Sequence, residues 1–209
     1  MKKLLFVFLI ICSVLTVKAQ ILEWNFLSDV KGNERVATST DTDPNLEVSV
    51  LSRGQGIKPE RATYSFASAF PVNQTKEEAI KADSYYQFTV KAKPGYYVSL
   101  STLDVVLRIQ KNAPQNYRWM YSIDGVKFND LGKEDIKSAP TINNGISQPT
   151  LDLSSYKELQ EVSSSQTITF RLYAWGGADA TTDNGFRIGK SSAKRPALSL
   201  NGKVAKKKG

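Results

Sequence analysis

From residue 20 onward, hydrophobic and polar positions alternate with a period of two in short runs. The runs are rich in Val, Ile, Thr, Tyr and Phe, and clusters of Gly, Asn, Asp and Pro separate them. Such alternation marks β-strands with one buried face. Strands are expected at 22–27, 46–52, 63–69, 84–92, 97–110, 117–123, 150–153, 167–175, 185–188 and 197–204. Helix is limited to one or two turns at 76–82 and about one turn at 154–159. This spacing predicts an all-β domain of two packed antiparallel sheets, a β-sandwich. The polar segment 132–148, with Pro140, Asn143, Asn144 and Gly145, reads as a surface excursion between strands.

Parity within each strand assigns its faces. In 167–175, Ile168, Phe170, Leu172 and Ala174 share one face, and Thr169, Arg171, Tyr173 and Trp175 the other. Leu103, Val105, Leu107 and Ile109 oppose Arg108, and Phe186 and Ile188 oppose Arg187. Tyr117, Trp119, Tyr121 and Ile123 alternate with Arg118 and Met120, which makes Trp119 and Tyr121 core residues. Four arginines, each on a different strand, thus lie opposite apolar stripes. If those strands share a sheet, Arg108, Arg118, Arg171 and Arg187 gather beside Tyr173 and Trp175 on its free face. Aromatic faces stack on sugars, and guanidinium forks hold hydroxyls and carboxylates. The competing reading is a solvated face with snorkelling arginines.

The amino terminus changes the compartment. Lys2 and Lys3, the apolar run 4–17 and Val17-Lys18-Ala19 form a secretory leader, residues 1–19, with Gln20 as the expected mature terminus. The run is short for a membrane span, and no second apolar run is long enough to be one. Ile11 before Cys12 does not fit a lipoprotein signal. The expected product is exported: periplasmic, attached to the cell surface or extracellular. Its domain covers residues 20–204, and a basic tail covers 205–209.

Charge excludes one class of partner. The chain carries +8, of which Lys2, Lys3 and Lys18 supply three, and Lys203, Lys206, Lys207 and Lys208 four. The body is therefore nearly neutral. Its basic residues form no stripe with interleaved aromatics, so a nucleic-acid partner is not expected. The lysine tail reads as a solubilising end.

Several segments together resemble a β-sandwich module of secreted bacterial proteins, of the kind found in chains with PEP-CTERM-type or other C-terminal sorting signals. They are Asn45-Leu46 through Leu51-Ser52-Arg53-Gly54-Gln55-Gly56-Ile57, Tyr86-Gln87-Phe88-Thr89-Val90 with Gly95-Tyr96-Tyr97-Val98-Ser99-Leu100, and Tyr121-Ser122-Ile123-Asp124-Gly125 with Phe128. Thr169-Phe170-Arg171-Leu172-Tyr173-Ala174-Trp175, Phe186-Arg187-Ile188 and Leu198-Ser199-Leu200-Asn201-Gly202 complete the set. The resemblance implies a jelly-roll-like sandwich similar to carbohydrate-binding and discoidin-like domains, with no catalytic residues. Where related modules carry Arg-Ile-Asp-Asn, this chain has Arg187-Ile188-Gly189-Lys190, which lacks the carboxylate of a calcium site. Within Ser122–Phe128, Asp-Gly signals a hairpin turn, after which Phe128 is expected to return to the core.

The remaining chemistry is narrow. There is no histidine, and the only cysteine, Cys12, lies in the leader. Ser-His-Asp and Cys-His catalysis are excluded, as are the usual N and S ligands of zinc, haem and copper. Without disulfides the core alone must hold the exported domain together. A carboxylate glycosidase needs two carboxyls about 5–10 Å apart. Glu23, Asp104 and Asp124 are candidates, with no spacing that singles out a pair. No cofactor is expected; calcium is the one metal the ligands allow, at Asp41 and Asp43 with Asn45, or at Asp179 and Asp183. A polar turn around Pro44 is the preferred reading of the first group. The expected function is non-catalytic binding of a glycan or cell-surface polymer. An adhesive module with a protein partner comes second and a glycosidase third.

Overall fold

A computed structural model describes residues 19–27, 30–192 and 195–206. Nearly all of the proposed leader lies outside that range, as do the last three residues of the proposed tail. The first half of the chain supplies β1 (Ala19–Trp24), β2 (Ala37–Thr38), β3 (Asp41–Thr42), β4 (Val50–Arg53), β5 (Lys58–Pro59), β6 (Phe66–Ala69), α1 (Lys76–Lys81) and β7 (Tyr85–Val90). The centre supplies β8 (Tyr96–Ile109), β9 (Asn116–Ser122), β10 (Asn129–Asp130), β11 (Ile136–Lys137), β12 (Ile146–Ser147) and β13 (Leu151–Asp152). A 3-10 turn at Lys157–Leu159 precedes β14 (Val162–Ser163), β15 (Ile168–Trp175), β16 (Gly185–Ile188) and β17 (Leu198–Lys206).

These strands form two antiparallel sheets packed as a sandwich. The larger runs β3-β1-β17-β8-β16-β6-β5, and β12, β13 and β14 also pair with β8. The smaller runs β10-β9-β15-β7-β4-β2, with β11 also on β9. β8 organises the larger sheet: β17 lies along Tyr96 to Val105, and β16 pairs with Leu107 to Ile109. β17 continues to Lys206, so Ala205 and Lys206 of the expected tail are strand residues paired with Tyr97 and Tyr96.

Period-two alternation produces the core. Ile168, Phe170, Leu172 and Ala174 of β15 face inward with Tyr86, Phe88 and Val90 of β7 and Tyr117, Trp119 and Tyr121 of β9. Leu103, Val105, Leu107 and Ile109 of β8 meet them from the other sheet, with Phe186, Ile188, Leu198 and Leu200. Phe88 sits among rings from both sheets, with centroids 5.1 Å from Trp24, 5.0 Å from Phe170 and 6.0 Å from Trp119. Phe128 departs from expectation. It stays half-buried outside this core, with the Arg171 guanidinium 4.0 Å from its ring centre. Asp124 Oδ1 accepts the Val126 and Lys127 amides, and this tight turn keeps Phe128 from crossing the sheet.

Two connections position the outer surfaces. Helix α1 is closed by a capping box in which Thr75 accepts from the Glu78 amide and Glu78 accepts from the Thr75 amide. Its Ala79 packs against β15 from outside. The 132–148 excursion is stitched to both sheets, through β11 to β9 and through β12 to β8. It lays Gly145 over β8. A Cβ at Gly145 would stand 2.9 Å from Val106 Cγ1 and from Arg108 Cγ, and 2.8 Å from the Gly189 carbonyl oxygen, so only glycine fits there.

Candidate functional site

The single arginine–aromatic face expected from strand parity does not form. Arg118 and Arg171 belong to β9 and β15 of the smaller sheet, and Arg108 and Arg187 to β8 and β16 of the larger. Each pair points outward, so the two pairs lie on opposite surfaces of the sandwich. Tyr173 and Trp175 do share the outer face of the smaller sheet, but α1 covers them. Tyr173 is 2% exposed and Trp175 9%, packed with Ala79. Neither ring offers the open stacking platform expected of it.

The arginines beside those rings are also engaged. Arg118, 4% exposed in its side chain, lies 3.4 Å from Asp130 and 3.6 Å from Asp135, and donates to the Gly132 carbonyl. Lys76 of α1 reaches the same carboxylates at 3.0 and 2.9 Å. The four charges clamp the helix and the 130–135 segment onto the sheet. Arg171 donates to Gln87 Oε1 at 2.8 Å and the Tyr173 hydroxyl at 3.1 Å, between the rings of Tyr85 and Phe128. This surface is a packed layer.

Two clefts open on the outer face of the larger sheet. On the outer row of β8, Thr102, Asp104, Val106 and Arg108 follow one another at every second position. Gly145 crosses at Val106 and Arg108. One cleft, of about 360 Å³, opens around Asp104, Ser147, Gln148, Thr150, Arg195 and Asn201, with Gln20, Ser199, Val106 and Pro196 on its walls. A second, of about 210 Å³, opens around Arg108, Gln110, Thr141, Ile142, Asn143 and Arg187.

The first cleft is preorganised by hydrogen bonds. Asn201 Nδ2 donates to Thr102 Oγ1 at 2.9 Å and Asp104 Oδ2 at 3.2 Å, and the Thr150 hydroxyl donates to Asp104 Oδ1. Arg195 donates to Ser147 Oγ at 2.7 Å, and Tyr117 OH holds Gln148 Oε1 at 3.0 Å. Strand parity places Asp104 on the solvent side, but the cleft itself is invisible in sequence. Its other polar residues come from β1, from β17, from β12, from the segment after it, and from the loop before β17.

The carboxylates are placed as follows. Asp124 holds its hairpin turn; the Val126 and Lys127 amides and Ser122 keep its carboxyl below the usual range. Glu23 pairs with Ser199 across one strand boundary and with Asp41 across the other. Burial and the neighbouring Asp41 push its carboxyl up, while a hydrogen bond from Asn25 pulls it down. Asp43 accepts the Asn45 amide at 2.8 Å, closing the polar turn at Pro44. Asp179 accepts the amide and hydroxyl of Thr181, which lower its carboxyl. Among the described residues no group of three or more carboxylates gathers where it could hold a metal.

Glu23 yields a pH test. Its proton is held more tightly in the folded than in the unfolded chain. That contribution is present at low pH and is lost as pH rises through the carboxylate range. Glu23→Gln is expected to raise the melting temperature at pH 7 by about 2 °C, with the gain vanishing below about pH 4. Thermal melts of both proteins across that range check it; a gain that persists at pH 3 would exclude ionisation as its cause.

No family model matches the chain, so nothing supports the likeness to sorting-signal modules, and no curated protein matches it. Among solved structures it is similar to the N-terminal cellulose-binding domain of Cellulomonas fimi β-1,4-glucanase C. The two share 8% identity at a TM-score of 0.33, over 77% of this chain and 90% of that one. That similarity assigns no residue of this chain a role.

Proposed function

We propose that the chain is an exported, non-catalytic module that binds a glycan on the outer face of the larger sheet. The observation that carries this reading is the 360 Å³ cleft. Its volume falls within the range of small-molecule sites. Asn201, Gln148, Gln20, Thr150, Ser147 and Ser199 each carry both donor and acceptor capacity, as sugar hydroxyls do. Asp104 adds acceptors, Arg195 adds donors, and Val106 and Pro196 supply apolar surface for the C–H faces of a ring. Much of the set stands on paired strands, which hold it in place before a ligand arrives. Cleavage after Ala19 leaves Gln20 as the first residue, still paired with Asn201 and still on the cleft wall.

Affinity electrophoresis of the full chain, expressed with its leader and recovered after export, tests the reading. At least one polysaccharide is expected to retard it. Arg195→Ala, a change at an exposed rim residue, is expected to weaken that binding about tenfold, or about 1.4 kcal/mol. Failure of every polysaccharide to retard the chain would abandon the reading in favour of a protein partner.

A further inference from the structure

Among the described residues, nothing fully balances the charge of the second cleft. Arg108 and Arg187 are direct cross-strand partners on β8 and β16. Both are nearly buried, at 8% and 9% exposure. Like charges placed opposite each other on neighbouring strands repel. Glu60 answers one of them: its two oxygens lie 3.2–3.3 Å from Nε and Nη2 of Arg187. Arg108 has only neutral acceptors, the Thr63 carbonyl at 2.8 Å and Asn143 Oδ1 at 2.5 Å, and its Nε is buried without a partner among the described residues.

The surroundings add positive charge. Lys190 reaches Asn144 Oδ1 at 3.5 Å, next to the Asn143 that lines the cleft. Asp183 touches the cleft only through Gln110 Nε2, at 3.4 Å. The backbone is shaped to keep this arrangement. A Cβ at Gly185 would stand 2.2 Å from Glu60 Oε2, 2.6 Å from Arg187 Nη2 and 2.6 Å from Gln110 Oε1. Thr141 Oγ1 accepts the Ile109 amide, which leaves its proton free to donate into the cleft. Burial and the neighbouring Arg187 both work against the charge on Arg108, and Glu60 only partly offsets them.

We propose that this cleft binds an anionic group, a carboxylate or sulfate ester, of an acidic polysaccharide whose neutral portion occupies the larger cleft. This inference rests on the glycan reading and names the class of glycan. Arg108 lies four residues along β8 from Asp104, about 13 Å. Arg108 and Arg187 supply the charge-assisted donors, and Thr141 and Gln110 add neutral ones.

The test runs the full exported chain through gels containing polygalacturonate, dextran sulfate or neutral dextran. One acidic polymer is expected to bind at least tenfold more strongly than dextran, and to weaken as salt is raised. Which of the two is preferred separates carboxylate from sulfate as the anion. Glu60→Gln releases the Arg187 fork and is expected to strengthen acidic binding several-fold. Glu134→Gln makes the same charge change at an exposed residue beside the smaller sheet and is expected to leave it unchanged. The double variant Glu60→Gln, Arg187→Gln keeps the net charge of the parent and is expected to lose at least tenfold. Acidic binding that ignores the double variant, or a gain shared equally by Glu60→Gln and Glu134→Gln, overturns the anion subsite. Dextran binding with no acidic preference also overturns it and keeps the glycan reading. Absence of binding to any polymer tested overturns the subsite, and failure across a wider neutral panel removes the glycan reading with it.

Discussion

Arg53→Lys is expected to destabilise the protein by about 3 kcal/mol and to lower its melting temperature by about 6–12 °C. Arg53 stands on β4 of the smaller sheet, and its guanidinium reaches across to the larger one. Nε donates to Ser68 Oγ at 2.7 Å and Nη2 to the Ala67 carbonyl at 2.8 Å, both on β6. The same fork donates to the carbonyls of Glu34 at 2.5 Å and Gly32 at 2.8 Å, tying down the 32–34 loop. Its plane lies 3.6 Å from the centre of the Phe66 ring. One side chain thus serves four acceptors and one aromatic face. A lysine ammonium is a point donor and cannot match the planar fork, so at least one interior acceptor is left without a partner. Calorimetry of the two proteins at neutral pH measures the loss; an Arg53→Lys variant melting within about 2 °C of the parent would show that the cross-link contributes little.

Phe88→Ala is expected to cost about 3–5 kcal/mol, a large share of the total stability of a domain this size. Its ring lies among Trp24 from the larger sheet and Phe170 and Trp119 from the smaller, and it is 1% exposed. The surrounding rings stand on paired strands and cannot collapse fully into the space. The described domain holds no cysteine, so no disulfide limits the loss. Phe128→Ala is the internal control. That ring lies outside the core, and its loss is expected to cost less than about 1 kcal/mol. Urea titrations report both changes, and equal midpoints for the two variants would contradict this placement of the core.

Trp175 shows where parity stops being informative. Its position in the strand assigns it correctly to the outer face of the sheet. Nothing in the strand reports that α1, about a hundred residues earlier, lies on that face. Trp175→Ala therefore reads out the seating of the helix rather than the loss of a ligand platform. Trp119 and Tyr121 illustrate the opposite case. They follow the core stripe of their own strand, and the structure buries both, at 1% and 4% exposure.

The same division holds for the strands. Long alternating runs such as Ile168–Trp175 are legible because each residue's face follows from its neighbour's. Two-residue strands such as Ile136–Lys137 and Ile146–Ser147 are too short to show a period, and form because a longer strand offers its edge. The polar cleft depends on such pieces. Thr150 and Arg195 have no local signature, and they meet Asp104 and Asn201 only through the packing of the loops on β8 and β17.

Local alternation was enough to specify an all-β sandwich, most of its strands and the inward stripes of its core. Residue content alone excluded catalysis by histidine or cysteine. Sheet membership is a different kind of information. It is set by hydrogen-bond register between segments far apart in the chain, and no single strand contains it. That register separates Arg108 and Arg187 from Arg118 and Arg171, sends one pair to an open cleft and leaves the other in a packed layer under and beside α1.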